Sequence, residues 1–279
     1  MTRNVLTIGG FAAVLLLSGC GSDSTSSTAP GPGSTTPPPT TTPAEGVQGT
    51  WRGNINTPTP SSRLLETIVL DDGTLWMAYS TANDPTQTDA LLNAAGLIKG
   101  TGTPDLATNT FNITTAKQLS IEDGQRLGVD ISMSFVTGST LTGTITRDAG
   151  PTTSALPSPA DFSSLYRTAY NNNYTLQHLA GTYQGSLTTG LGKHSASITI
   201  DSAGAITGSE STGCTLTGTA TQRTRGNVFN VALTWGNEAG CGANAANALE
   251  GVVSLESGRI GMMATDSDVK KAFIFVGNR

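Results

Sequence analysis

Apolar and polar positions alternate in short bursts through most of the chain. "SASITI" (Ser195 to Ile200) and "FIFV" (Phe273 to Val276) have a period of two, which predicts strands with one buried and one wetter face. From Gly181 onward the pattern predicts eight strands: Gly181–Leu187, Ser195–Ile200, Ala205–Ser209, Cys214–Thr221, Asn227–Trp235, Leu249–Leu255, Arg259–Ala264 and Ala272–Val276. Turn formers separate them, such as Asp201-Ser202-Ala203-Gly204 and Glu256-Ser257-Gly258. Asp71-Asp72-Gly73 marks a hairpin between "ETIVL" and "TLWMAY".

The pattern occurs twice. "GTWRGNI" from Gly49 matches "GTYQGSL" from Gly181, with Gly, Thr, an aromatic and Gly at corresponding places. "IKGT" at Ile98 and "NTFNI" at Asn109 match "LTGT" at Leu216 and "NVFNV" at Asn227, both at a shift of 118. "GSTL" at Gly138 pairs with "GRI" at Gly258. The first copy is longer between Asp71 and Ile98, where "STANDPTQTDALLNAAG" reads as an inserted loop or short helix.

Connections this short join antiparallel neighbours. About eight meandering strands per copy predict an all-β protein of two tandem up-and-down small barrels, or strongly curled sheets, because closure removes exposed edges. An immunoglobulin-like sandwich is the alternative. Trp235, six residues before Cys241, suits a pinned flap better than an inter-sheet bridge. The expected divisions are 46–150 for the first β-domain, 151–177 for a linker and 178–279 for the second. In the linker, "ADFSSLYRTAYNN" reads as a short helix capped by Asp161, with Phe162, Leu165, Tyr166 and Tyr170 near one face. It would pack against a barrel or serve as a lid.

The N-terminus differs. Behind Arg3, Val5 to Leu17 is almost wholly apolar, a secretory signal pattern too short to span a bilayer. Leu17-Ser18-Gly19-Cys20 resembles the lipobox of bacterial lipoproteins. The resemblance implies cleavage after residue 19 and a diacylglyceryl thioether with an acylated amino group on Cys20. Several acyl chains make a stable anchor, where one binds marginally. Gly21, in place of the Asp that retains such proteins in the inner membrane, implies the outer membrane, on its periplasmic or its surface-exposed face. Residues 20–45 then form a Ser/Thr/Pro-rich tether with little apolar surface to bury.

Three cysteines are an odd number for an exported protein. With Cys20 lipidated, Cys214 and Cys241 remain to form a disulfide in an oxidising space. It is worth about 3.5 kcal/mol for a loop of roughly 28 residues. Two buried free thiols are the alternative. The Gly-Thr-Trp and Gly-Thr-Tyr openings are similar to the Gly-x-Trp start of lipocalin-like barrels. That resemblance implies that Trp51 and Tyr183 close one barrel end, with ligand contact as the other reading.

Charged residues make up only 13% of the chain and the net charge is −5, becoming −6 once the signal removes Arg3. An acidic chain without basic clusters excludes nucleic acid as a partner. The Lys270-Lys271 pair reads as the exposed edge of a terminal strand. His178, in a loop, and His194, in a turn, lie in no nucleophile elbow and read as surface imidazoles. Thr265 to Asp268 lacks the rest of a calcium loop, and Gly192-Lys193 lacks the first Gly and the Ser/Thr of a phosphate loop. No cofactor or metal is expected. The functional expectation is a lipid-anchored envelope protein whose β-domains bind a protein or small molecule without catalysis. A passive structural component is the alternative, and an enzyme acting on envelope polymers is the remote third.

Overall fold

The computed structural model describes residues 40–41, 45–56, 62–82, 89–148 and 156–279. The signal segment, Cys20 and most of the tether lie outside them. A two-residue strand β1 (Thr40–Thr41) precedes the first barrel. That barrel is built from β2 (Gly49–Asn56), β3 (Arg63–Val69), β4 (Thr74–Ser80), β5 (Ala94–Thr101), β6 (Thr103–Asp105), β7 (Thr110–Ser120), β8 (Arg126–Val136), β9 (Thr140–Arg147) and β10 (Ala160–Tyr166). A 3-10 turn (Thr168–Asn171), β11 (Asn172–Asn173) and one helical turn α1 (Leu176–Leu179) lead to the second barrel. Its strands are β12 (Gly181–Thr189), β13 (Gly192–Ile200), β14 (Ala205–Glu210), β15 (Thr215–Gln222), β16 (Val228–Trp235), β17 (Ala248–Glu256), β18 (Arg259–Thr265) and β19 (Ala272–Asn278). The short β1 pairs with β11.

Both copies are closed antiparallel meanders. In the second, each strand from β12 to β19 pairs with the next and β12 pairs with β19. In the first the order is β5-β4-β3-β2-β10-β9-β8-β7, closed by β5 against β7, with β6 extending the β5 side along β7. The up-and-down barrel therefore holds and the sandwich does not. All eight strands expected after residue 181 are present, most of them a residue or two longer than the pattern suggested.

Three expectations need correction. "ADFSSLY" is no helix but β10, the eighth stave, paired with β2 on one side and β9 on the other. Its apolar residues follow a period of two: Phe162 is buried, while Leu165 points outward and is 66% exposed. A helical face would have buried both. Lys270 and Lys271 lie in the β18–β19 turn, and β19 is no edge because β12 and β18 flank it. His194 sits in β13 opposite Leu187, not in a turn.

Each interior is filled by side chains. Leu65, Val69, Met77, Ile98, Phe111, Met133, Leu141 and Phe162 pack inside the first barrel. Leu187, Ile198, Leu216, Phe229, Leu233, Val253, Phe273 and Phe275 pack inside the second. A small eight-stranded barrel has room for this packing or for a ligand, and this sequence chose packing.

The matched glycines of the two openings explain the closure. Gly53 in β2 passes so close to β10 that an added Cβ would sit 1.9 Å from the Ser163 carbonyl oxygen and 2.5 Å from Ser164 Cα. Gly185 in β12 meets β19 in the same way, 1.9 Å from the Val276 oxygen and 2.5 Å from Gly277 Cα. Only a residue without Cβ lets first and last strands approach this closely at the crossing. Gly185→Ala is expected to lower the unfolding free energy by about 3 kcal/mol, since backbone has to move. Gly190→Ala, with nothing within 4 Å of the added carbon, stays within about 0.5 kcal/mol of wild type. Urea unfolding of the two variants checks the contrast.

Candidate functional site

Trp51 and Tyr183 occupy equivalent places in the two barrels. Both are 0% exposed. The Trp51 indole N–H donates to the Val47 carbonyl at 3.1 Å, and the Tyr183 hydroxyl donates to the Leu179 carbonyl at 2.7 Å. In each case the acceptor lies four residues upstream, on the segment that enters the barrel. Tyr166 stands edge-on to Trp51 with ring centroids 5.0 Å apart. Burial also pushes the Tyr183 hydroxyl above its ordinary pKa, against the opposing pull of Arg279.

Cys214 and Cys241 form a disulfide. It ties the 3-10 segment Ala239–Asn244 that follows β16 to the start of β15, its neighbour. Glu238 lies beside the two sulfurs, but these are bonded to each other and offer no thiolate for a metal. His178 pairs with the side chain of Thr175 at 2.9 Å and caps the short helix. Asp266 accepts backbone N–H bonds from Lys270 at 2.6 Å and Lys271 at 3.0 Å, which organises the β18–β19 turn.

What the sequence reading missed is the contact between the barrels. The run Phe273, Ile274, Phe275 and Val276 is buried at every position, not alternately. Phe273 and Phe275 point into the second barrel. Ile274 and Val276 point out and join Ile68, Leu70, Trp76, Ala78, Leu97, Val252 and Met263 in a separate apolar cluster between the barrels. The signal was in the strands themselves: "TIVL", "LWMAY" and "FIFV" are continuous apolar runs, which mark strands covered on both faces. Leu91 from the inserted segment of the first copy joins the same cluster. It packs so near Gly261 in β18 that a Cβ there would meet it at 2.6 Å.

Charges rim this contact. Arg223, just past β15, pairs with Asp71 and with Asp72 (3.1 Å) in the β3–β4 turn, and its other nitrogen donates to Asn230 at 2.7 Å. Arg259 in β18 pairs with Asp89 of the inserted segment. Glu256 at the end of β17 pairs with Arg167 and lies 3.6 Å from Arg52, which also holds Glu66 at 2.9 Å.

Between the rim and the apolar cluster the two outer faces diverge into a groove of about 540 Å³. Strand register builds its walls. On the first barrel, Thr74 lies opposite Thr101 and Trp76 opposite Lys99. On the second, Thr219, Ala232 and Glu250 form one row and Thr221, Asn230 and Val252 the next. The cross-strand pairing sets the Lys99 ammonium over the Trp76 ring, 4.6 Å from its centroid. Burial pulls Lys99 below the usual lysine range, and the charges of Glu250 and Asp266 offset this only in part.

Two carboxylates, Asp72 and Glu250, line the groove, so acid–base chemistry has to be weighed. A general acid needs a carboxyl with a raised pKa. Asp72 is the reverse: burial pushes it up, but the N–H and hydroxyl of Thr74 and the guanidinium of Arg223 outweigh that and hold it below its ordinary value. Burial likewise pulls Arg223 down, yet Asp71 and Asp72 leave it above its ordinary value. Asp72 is spent on a clasp.

No family model and no curated protein sequence matches the chain. Among solved structures it is similar to the crystal structure of a double mutant of the vaccine antigen transferrin binding protein B from Haemophilus parasuis Hp5. Identity is 11%, and the alignment covers 81% of this chain and 52% of that one, with a TM-score of 0.26. A likeness at that score carries no argument, and the architecture rests on the strand pairing itself.

A carboxyl whose pKa is lowered on folding contributes stability above its unfolded value, about 3.9, and loses it as pH falls through the lower folded value. The stability gap between wild type and Asp72→Asn is therefore expected to be full above the unfolded carboxyl value and to close as pH falls through the lower folded one. Urea midpoints measured from pH 2 to 7 test this, and a gap independent of pH would refute the clasp.

Proposed function

We propose that this chain is a lipid-anchored, non-enzymatic binding protein of a bacterial envelope, and that it engages its partner on the outside of the barrels, at the groove between them. The observation that carries the reading is the contrast between the filled interiors and the groove. The barrel cores hold large side chains at full burial, so an interior ligand would have to displace a packed core. The groove instead presents charged and hydroxyl groups to solvent from both barrels. Trp51 and Tyr183 act as end plugs, each pinned by its hydrogen bond to the entering segment, and neither contacts a ligand.

The anchor belongs to the same proposal. Cys20 carries the lipid, and the Ser/Thr/Pro-rich residues after it separate the barrels from the outer membrane. The disulfide Cys214–Cys241 suits the oxidising side of the inner membrane.

Two measurements test the reading. Mass spectrometry of protein from native membranes is expected to find Cys20 as the acylated first residue, and Cys20→Ser to move the protein into the soluble envelope fraction. Immobilised wild-type protein is expected to retain an envelope component that Lys99→Met does not. Equal retention by the two would remove the groove from the function.

A further inference from the structure

We propose that the groove between the barrels is a subsite for an acidic saccharide, a hydroxyl-rich ligand bearing a single carboxylate whose charge is met by Lys99. This rests on the binding reading above and names the chemistry of its ligand.

The argument starts from groups left without partners. The Lys99 ammonium makes no hydrogen bond or salt bridge among the described residues; it rests on the Trp76 ring and feels Glu250 and Asp266 only as charges at longer range. A half-buried cation held in this way gains from an anion that completes its hydrogen bonding. Glu250 is also unpaired among the described residues, as are the hydroxyls of Thr101, Thr219 and Thr221. Arg223 is committed to Asp71, Asp72 and Asn230. Among the described residues the groove therefore offers a cation and a carboxylate that are not hydrogen-bonded to protein, and a set of hydroxyls able to donate and accept.

Charge decides the anion. Asp71, Asp72 and Glu250 stand against Lys99 and Arg223, so the surroundings are negative on balance. A dianion such as phosphate would be repelled, while a monoanionic carboxylate pairs with Lys99 alone. The hydroxyls decide the rest of the ligand. Every strand flanking the groove belongs to a closed ring, so an extended peptide finds no free backbone edge to join there. Recognition has to run through side-chain hydroxyls, Asn230 and Glu250, which match the vicinal hydroxyls of a sugar. At about 540 Å³ the groove lies within the ordinary range of small-ligand sites, roughly 300–1,000 Å³.

The test is calorimetric titration of the full lipidated protein in detergent with cellobiouronic acid, a disaccharide with one carboxylate, alongside cellobiose, acetate and inorganic phosphate. Cellobiouronic acid is expected to bind more tightly than all three and to change the fluorescence of Trp76 as Lys99 shifts on the ring, a change absent in Trp76→Phe. Lys99→Met is expected to weaken binding by about tenfold, the scale of one charge-assisted hydrogen bond, and Lys99→Arg to restore most of it. Thr101→Val and Thr219→Val each weaken it by about threefold, and Glu250→Gln leaves it equal or tighter.

Acetate or cellobiose binding as well as cellobiouronic acid would overturn the assignment. So would tighter binding of phosphate, or indifference to Lys99→Met in a variant whose melting temperature is unchanged. If no saccharide binds but retention of an envelope component still depends on Lys99, the saccharide assignment fails and the binding reading stands. If neither depends on Lys99, both fall.

Discussion

The structure depends on one contact made twice: the hydrogen-bonded seam where the first strand of each copy meets the last. β2 runs against β10 and β12 against β19, and at both seams a glycine admits the opposing backbone where a methyl group would collide with it. Without the seam each copy would be an open curled sheet with two unpaired edges. With it, each stave of the ring is flanked by a strand on both sides and the apolar face is turned inward. The filled core follows from the small circumference, since eight strands enclose little more space than their inward side chains occupy.

Closure moves function to the outside. Once the interiors are packed, the surfaces that remain are the outer faces of the staves, and the two barrels use part of theirs against each other. Ile68, Trp76, Leu97, Val252, Met263 and Ile274 form a dry contact there, and ion pairs of Arg223, Arg259 and Glu256 rim it. The groove exists because two convex surfaces touch along a limited strip and part beyond it. Its side chains come from both copies, so neither barrel alone would make it. The inserted segment of the first copy has a mechanical role in this arrangement: Leu91 and Asp89 reach across to Gly261 and Arg259 of the second barrel.

How much of this was legible depended on range. The eight strands after residue 181 were readable because alternation and turn residues are local. The eighth stave of the first barrel is legible too: if the copies match, the counterpart of Ala272–Asn278 must precede the linker, and "ADFSSLY" alternates as a strand should. The apolar spacing of Phe162, Leu165, Tyr166 and Tyr170 fits a helical face equally well, and only pairing with β2 and β9 decides between them. The barrel contact was half legible. Continuous apolar runs announced strands covered twice, but not what covers them.

By itself the sequence determined the all-β class, the duplication and the approximate places of the second copy's strands, because each is written in spacings of a few residues; it left Cys214 and Cys241 as a disulfide or two free thiols, and the structure decided for the bond. Tertiary structure alone decided that the rings close, that their cores are full and that Lys99 faces Glu250 across a groove. Those outcomes depend on register and on the meeting of surfaces that lie far apart in the chain. A local pattern says which face of a strand is apolar, but the partner that covers it is chosen by the fold.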